Sequence, residues 1–355
     1  MELAQILWIT VTAFAIFPNG SAWAVGGARL QDDLMDMPTP SRLLVLAPHP
    51  DDVMLSAGLI IHTLKAGGQV RVVDLTSGDG KNPINIQFVK RMGFRVDSND
   101  VINYGYYRQQ EDQKAVQHLG LDPSALTVLG YPDGGMWEIL ERGNRGDPRP
   151  VKSLNTGVSE VPYTTALSPH ASYVMDSVVS DIARVMTEFQ PDLITMTHPN
   201  DNHPDHAATY YYGIKAMEVA GLSSKQIPIF LPFDIYASDL PKKLERGYRQ
   251  KVPHHSIPSP THWFNTELTA EEEEAKIDLT LDYSSQYAWE HPFEQGYRGT
   301  RSYMFGYVGV NELYGTITEA HEDAGFRKHL NEHLTLSRGA AVAGNVFADF
   351  FHRIF

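Results

Sequence analysis

Two short runs of histidine and aspartate carry the most distinctive chemistry of this sequence. His49-Pro50-Asp51-Asp52 lies near one end of the chain, and His203-Pro204-Asp205-His206 lies far downstream. A catalytic zinc ion usually takes three protein ligands from histidine and carboxylate side chains and keeps one position for water. His49, Asp52 and His206 would supply such a set. The two runs together therefore predict a metal site.

Asp51 is the carboxylate left over once those ligands are assigned. A carboxylate beside a divalent ion can act as general base for the metal-bound water that attacks an amide carbonyl, which predicts a metal-dependent hydrolase. The spacing His49-x-Asp51 with His206 also matches the facial triad of non-haem iron enzymes. A third alternative is a non-catalytic carbohydrate-binding protein. The retained Asp51 and His203 argue against it, because binding alone would need neither.

Both runs follow segments with the pattern of buried strands. The apolar run 43–47 stops at Pro48, as is typical of a strand buried on both faces. A helical pattern over 53–65 and a strand over 70–76 complete a strand-helix-strand unit. The alternation continues with helices predicted over 107–119, 173–189 and 204–219 and strands over 126–129 and 193–197. We expect an α/β fold with a mostly parallel, Rossmann-like sheet flanked by helices.

The predicted strand ends should bring the two runs together. In open α/β sheets, ligands bind beyond the carboxyl ends of the strands. The first run directly follows strand 43–47 and the second follows strand 193–197, so both lie at one edge of the sheet. Pro204 suits the first helical position, which would place His206 in the first turn and His203 just before the helix.

The rest of the chain is less regular. Residues 134–168 are rich in Gly, Pro, Asn and Arg without clear periodicity, which predicts a long loop over the site. Beyond residue 233 the pattern weakens, apart from a helix predicted over 271–287. We expect a catalytic domain over residues 25–245 and a C-terminal extension, residues 246–355, that packs on the same domain.

Composition limits the partners and the chemistry. The formal net charge of −14 argues against a nucleic-acid partner, because the 29 lysines and arginines are scattered and phosphate binding needs them clustered. A neutral or cationic substrate fits better. The absence of cysteine excludes thiolate catalysis and cysteine-ligated metal.

Residues 1–24 have the pattern of an export signal. An apolar run over residues 6–17 is followed by Ala22-Trp23-Ala24, the small-x-small form of a signal-peptidase site. The run is shorter than the ~20 residues that a membrane-spanning helix needs. We therefore expect the signal to be removed, no stable membrane span to remain, and the protein to be secreted or periplasmic in a bacterium.

These motifs resemble those of a known family. Pro48-His49-Pro50-Asp51-Asp52 with the downstream run at 203–206 is similar to the LmbE/PIG-L family of zinc-dependent N-acetylglucosaminyl deacetylases. Further matches are Arg108-Gln109-Gln110-Glu111 and the segment Leu129–Gly135. The resemblance covers about residues 42–220. It implies an N-deacetylase that acts on an N-acetylglucosamine-containing sugar, oligosaccharide or glycoconjugate.

The resemblance also implies a role for each motif residue. His49, Asp52 and His206 would hold one zinc ion per chain, and Asp51 would be the general base. His203 would stabilise the oxyanion or protonate the leaving amine.

The resemblance implies roles for three further residues. Asp205 would orient His203, and Arg108 and Asp133 would hold sugar hydroxyls. Val53 stands where the family commonly has Glu, which removes one partner that could tune the metal. His198 is interpreted as a loop histidine rather than as part of the site.

Overall fold

The computed structural model describes residues 34–80, 90, 93, 97–199, 201, 203–223, 229–232, 246–250, 261–287 and 308–317. The predicted export signal, residues 1–24, lies outside the described residues. No helix in these ranges is both long enough and apolar enough to span a bilayer.

The described strands form one eight-stranded sheet in the order β1-β7-β8-β6-β5-β2-β3-β4. β2 to β6 are parallel to their neighbours within this set, β8 is antiparallel to β6 and β7, and β1 is parallel to β7. The strands are β1 Met35–Asp36, β2 Arg42–Ala47, β3 Gln69–Thr76, β4 Leu126–Tyr131, β5 Leu193–Met196, β6 Ile229–Pro232, β7 Thr261–Glu267 and β8 Asn311–Ile317.

Seven α-helices and two short 3-10 turns accompany the sheet in the described part of the chain. The helices are α1 Ala57–Lys65, α2 Ser98–His118, α3 Met136–Asn144, α4 Met175–Phe189, α5 Pro204–Val219, α6 Ala270–Asp282 and α7 Ser284–Tyr287. The 3-10 turns are Asp52–Ser56 and Pro123–Ala125. The predicted α/β class, a largely parallel sheet flanked by helices, is confirmed.

The core lies on both faces of the parallel strands. Leu44 and Leu46 of β2 belong to one buried cluster, while Leu43 and Val45 belong to the cluster on the other side. Alternate side chains of a strand point to opposite faces, so an uninterrupted apolar run is what a strand between two helical layers requires. Each such side chain contributes roughly 1.5–3 kcal/mol by leaving water.

Two predicted elements need correction in their extent. The helix predicted over 107–119 begins at Ser98, because Asp97 and Asp100 form a capping box that starts it earlier. The region 134–168 is not loop throughout, because it contains α3. Met136, Ile139 and Leu140 give that helix a buried stripe at helical spacing.

The C-terminal part of the chain contributes to the sheet more than its pattern indicated. β7 and β8 pair over seven residues and continue the sheet beyond β6. β8 contains Asn311 and Glu312, both buried polar residues, which hides it from a search for apolar alternation. The helix predicted over 271–287 is two helices, α6 and α7, separated at Tyr283. The division between residues 25–245 and 246–355 stays a prediction.

Candidate metal centre

The two histidine and aspartate runs meet at the carboxyl end of the sheet. β2 lies between β3 and β5, so the chain leaves β2 toward one side and returns through β5 on the other. This reversal of strand order opens a crevice beyond the strand ends, which is where α/β folds bind ligands. The first run follows β2, and the second run starts α5 after β5.

Local backbone geometry fixes each run in place. The backbone N–H of His49 donates to Oδ2 of Asp52 at 2.9 Å, which folds the first run into a tight turn. His203 is the N-cap of α5 and Pro204 follows it at the start of the helix, as predicted. The backbone N–H of Asp205 donates to Nδ1 of His203 at 3.3 Å.

Three atoms that can bind a metal face one another in this crevice. Nδ1 of His49 lies 3.1 Å from Oδ2 of Asp52, and Nε2 of His206 lies 3.3 Å from each of these atoms. A tetrahedral ion ~2.1 Å from its ligands keeps them roughly 3.4 Å apart. These three residues, called the ligand triangle below, therefore fit a zinc-sized ion without rearrangement of the chain.

Other ligand sets overlap with the triangle. His203 offers a nitrogen within 4.8 Å of nitrogens on His49 and His206, and Asp133 and Asp205 offer oxygens at similar range from His49. We favour the ligand triangle because its atoms are closer together. In addition, Nδ1 of His203 already accepts the helix N–H of Asp205.

In both histidines of the ligand triangle, the ring nitrogen that is not part of the triangle lies close to a carboxylate. Nδ1 of His206 lies 3.0 Å from Asp201, and Nε2 of His49 lies 3.3 Å from Oδ2 of Asp205 and 3.5 Å from Asp133. Such partners fix the ring orientation and increase the basicity of a metal-binding histidine. Asp201 was missed in the sequence. Its position five residues before His206, in the loop leading to α5, was the available signal.

Asp205 has a different neighbour from the one predicted. Its side-chain carboxylate contacts His49, whereas only its backbone N–H reaches His203. The carboxylate is fully buried and accepts the backbone N–H groups of Gly134 at 2.6 Å and Met136 at 3.1 Å. Asp205 therefore joins the turn after β4 to the metal centre.

The pKa values of the site residues are shifted because buried charged groups lie close to one another. Burial alone would lower the pKa of His49, but Asp133, Asp205 and Asp52 raise it well above its usual value. Burial alone would raise the pKa of Asp52, but the charges and hydrogen bonds of His206 and His49 hold it well below the usual range. A metal ion would displace any proton on the ligand nitrogens, so metal binding should release protons.

Asp51, the predicted base, is next to the triangle and paired with Arg108. Nη2 of Arg108 donates to Oδ1 of Asp51 at 2.7 Å. Arg108 is only 3 % exposed, so its guanidinium is committed to the protein and not to open solvent. A Cβ at Gly78, where φ is +60°, would lie 2.6 Å from Nη1 of Arg108. Glycine is needed at that position for both reasons.

Asp133, predicted to hold a sugar hydroxyl, borders the centre on the side of β3 and β4. Its Oδ2 accepts the backbone N–H of Gly80 at 2.8 Å, and its own N–H donates to Asp79 at 3.3 Å. Tyr163 donates to the other oxygen of Asp79 at 2.5 Å. Burial and the charge of Asp133 raise the pKa of Asp79 to about 7. Asp79 was not predicted as a site residue.

Val53 and His198 are both buried. Val53 is completely buried in the core beneath the first run, so it makes no polar contact there. His198 does lie in the loop after β5, but it is 4 % exposed, and burial lowers its pKa to about 4.

Sequence comparisons place these motifs in a family. The PIG-L family, described as GlcNAc-PI de-N-acetylase, matches residues 44–217. A 1D-myo-inositol 2-acetamido-2-deoxy-alpha-D-glucopyranoside deacetylase of Mycobacterium sp. (strain KMS) is 29% identical over 196 residues, which are 53% of each chain. The same enzyme of Mycolicibacterium gilvum is 30% identical over 200 residues, covering 55% of this chain and 59% of the relative. The chain thus spans a little over half the length of these relatives.

Two of the solved structures that match this chain are those of deacetylases. A deacetylase of the teicoplanin biosynthesis pathway is 18% identical with a TM-score of 0.49, and the match covers 79% of this chain and all of that one. The N,N'-diacetylchitobiose deacetylase of Pyrococcus horikoshii is 18% identical with a TM-score of 0.41, covering 70% of this chain and 71% of its own. With both motifs inside the matched range, residues 44–217 of this chain form a domain of the PIG-L (LmbE) family.

Proposed function

We propose that this protein is a divalent-metal-dependent N-deacetylase of an N-acetylglucosamine-containing substrate. The observation that carries the proposal is the ligand triangle, with edges of 3.1–3.3 Å and with Asp51 directly before Asp52 in the chain. A cation at that point and a carboxylate next to it are the two parts that hydrolysis of an unactivated amide requires. The relatives named above act on a 2-acetamido-2-deoxyglucose unit, which supports the substrate class.

His49, Asp52 and His206 would hold the metal, and we propose one zinc ion per chain. Two imidazole nitrogens and one carboxylate oxygen are a common ligand set for catalytic zinc. When bound there, zinc would polarise the amide carbonyl and make a water molecule more acidic. Asp201 and Asp205 would keep the two imidazoles in the orientation that this requires.

Asp51 is proposed to move the proton. Its Oδ1 is held by Arg108 at 2.7 Å, which leaves Oδ2 to accept a proton from the attacking water. The same oxygen can return that proton to the departing nitrogen. The balance of the reaction is then one water consumed, one C–N bond broken, and acetate and an amine released.

His203 is proposed to stabilise the oxyanion. Because Nδ1 accepts the backbone N–H of Asp205, the neutral ring carries its proton on Nε2. His203 is the exposed member of the histidine group, with its ring 4.7 Å from that of His49. An N–H at that place can donate to charge that develops on the carbonyl oxygen.

The residues that contact the substrate are proposed from their positions in the site and from the charge of the protein. Asp133, fixed by Gly80 and facing the same crevice, would accept from a sugar hydroxyl. Arg108 would act through Asp51 and less through the sugar, because it is buried against that carboxylate. The net charge of −14 favours a neutral substrate and a cationic amine product.

Export is proposed separately, from the pattern of residues 1–24. It predicts that a cell fraction of the native host yields a mature chain that begins after Ala24, with the protein outside the cytoplasm. Recovery of the full-length chain from the cytoplasm would contradict it.

The decisive experiment measures acetate release from N-acetylglucosaminyl compounds. In zinc-loaded protein, Asp51→Asn should lower kcat by about 10²–10⁴-fold, the usual contribution of a positioned general base. Asp147→Asn is the matched control, because in the described part of the chain this surface carboxylate pairs with neighbouring Arg149 at 2.8 Å. If Asp51→Asn releases acetate as fast as the control, the assignment fails.

Metal analysis tests the second half of the proposal. Protein that is stripped with chelator should regain acetate release with zinc or another divalent ion, at one equivalent per chain. Bound iron together with oxygen consumption would instead support the non-haem iron alternative. Sugar binding without turnover in metal-loaded protein would support a carbohydrate-binding relative.

A further inference from the structure

The helix that follows the first metal motif begins without a cap of its own. Ser56 is the N-cap of α1, but its side chain makes no capping hydrogen bond. Its Oγ donates instead to Thr195 of β5 at 3.3 Å, which links the turn after β2 to the strand before the second motif. The N–H groups at the second and third helical positions, which an N-cap side chain usually satisfies, therefore need another acceptor.

Glu312 of β8 is that acceptor. Its Oε1 accepts the N–H of Gly58 at 2.8 Å, and its Oε2 accepts the N–H of Leu59 at 3.3 Å. A carboxylate at this end of a helix is also favoured by the helix dipole. The cap thus comes from a residue 254 positions away in the sequence.

The carboxylate of Glu312 is buried and fully paired. It is 2 % exposed and forms an ion pair with Lys276 of α6, which is 1 % exposed. The hydroxyl of Tyr314 donates to Oε2 at 2.6 Å. These three residues are called the cap cluster below. Buried charge is tolerated when it is matched in this way and is costly when it is not.

The contact between α1 and the C-terminal elements leaves little room for a side chain at Gly58. A Cβ at Gly58 would lie 2.4 Å from Cδ2 of Leu268 and 3.0 Å from Oε2 of Glu312. A larger residue at position 58 would require the side chain of Leu268 to move and would crowd the carboxylate of Glu312.

The turn that carries Asp52 lies between two fixed points. At one end, the N–H of Asp52 donates to the carbonyl of His49 at 3.1 Å. At the other end, the 3-10 turn Asp52–Ser56 runs directly into α1, whose first amides are held by Glu312. Nothing but this short turn separates the capped helix from the metal ligand.

We propose that Glu312 is a positioning residue for the metal centre. By holding the start of α1, it fixes the 3-10 turn and so the distance of Oδ2 of Asp52 from the triangle histidines. This inference rests on the proposed metal-dependent function. The metal centre would then depend on residues beyond 44–217, because Glu312 and Lys276 lie outside the range that matches the family.

The test compares Glu312→Gln with Glu267→Gln. Glu267 also lies in the C-terminal strands, but its carboxylate is exposed and pairs with Arg249 at 2.6 Å, so its loss should have little effect. Hydrogen exchange of peptides covering residues 49–65 is measured in the metal-free proteins, and zinc affinity is measured by competition with a chelator. We expect faster exchange and about 10-fold weaker zinc binding for Glu312→Gln only.

A conservative variant keeps the test valid if Glu312→Gln does not fold. Glu312→Asp retains the charge opposite Lys276 but shortens the reach to α1, so it should fold, exchange faster over 49–65 and bind zinc more weakly than wild type. Unchanged exchange and unchanged zinc affinity in either folded variant would overturn the proposal. Wild-type protein that binds no zinc would instead refute the proposed function, while the exchange measurement would still decide whether Glu312 is the cap.

Discussion

The ligand triangle and the cap cluster are both buried groups of charged side chains, but they are built on opposite principles. In the cap cluster every acceptor oxygen faces a donor: an ammonium, a hydroxyl and two helix N–H groups. In the ligand triangle three atoms that can act as acceptors converge within 3.3 Å of one another. A cation at their centre would be coordinated by all three at once. A buried carboxylate whose oxygens are all paired with donors has a structural role. Buried atoms that converge as possible acceptors mark a candidate binding site.

The largest expected effect comes from removal of one corner of the triangle. His206→Ala should lower acetate release by at least about 1000-fold, because a metal contributes several kcal/mol to such a reaction. Zinc at about 100 times its Kd should stabilise the wild type against urea by about 2.7 kcal/mol and should not stabilise the variant. His118→Ala, at an exposed histidine of α2, is the control. Zinc stabilisation of His206→Ala equal to that of wild type would show that the triangle is not the metal site.

Breaking the cap cluster should lower the free energy of unfolding. Lys276→Met leaves the carboxylate of Glu312 buried without its cation, which should cost about 3–5 kcal/mol of unfolding free energy. Arg249→Met breaks an exposed pair on β7 and should cost under about 1 kcal/mol. Urea denaturation of both variants measures the difference. Equal losses would mean that the burial of the cap cluster has no energetic consequence.

Asp79 lies between the two cases, because it is buried and its described donors are the hydroxyl of Tyr163 and backbone N–H groups, with no cation among them. Its pKa rises from 3.8 to about 7, so the folded protein keeps a proton that the unfolded chain releases above pH 4. This carboxyl therefore stabilises the fold least above pH 7 and most below pH 4. Over that interval the stability of metal-free wild type relative to Asp79→Asn should fall by at most about 4 kcal/mol.

Urea denaturation of both proteins between pH 4 and 8 measures this difference. Parallel stability curves for Asp79→Asn and wild type would show that Asp79 ionises normally in the folded protein.

Asp201 should give the smallest effect. Asp201→Asn removes the carboxylate from Nδ1 of His206 but leaves the ligand triangle intact. Loss of such a partner typically weakens metal affinity by about 10–100-fold. Zinc competition assays measure it, with Asp147→Asn as the control. An unchanged affinity would mean that ring orientation is set by packing alone.

Much of the fold, and the meeting of the two histidine and aspartate runs, could be predicted because both depend on patterns that are local in the sequence. An apolar run such as 43–47 has to lie between two layers, and Pro204 fixes where α5 begins. Strand ends then determine where the two runs meet. The convergence of the donor atoms of His49, Asp52 and His206 follows from topology and needs no further information.

What could not be predicted depends on contacts between distant residues. The pairing of Glu312 with the first amides of α1 joins positions 254 residues apart, and no local pattern encodes it. Arg108 was expected to reach toward a sugar, but its partner Asp51 becomes its neighbour only through the packing of α2. β7 and β8 were missed because buried polar residues interrupt their alternation.

Because the residue that caps α1 lies far along the chain, the cap can form only late in the synthesis of the protein. At roughly 5–20 residues per second, a ribosome needs about 13–50 s to add the 254 residues that separate Gly58 from Glu312. Until β8 has been synthesised and has paired with β6 and β7, the turn that carries Asp52 has a helix end without its acceptor. With the metal site as proposed, a chain that stalls before β8 should bind the ion more weakly than the complete chain.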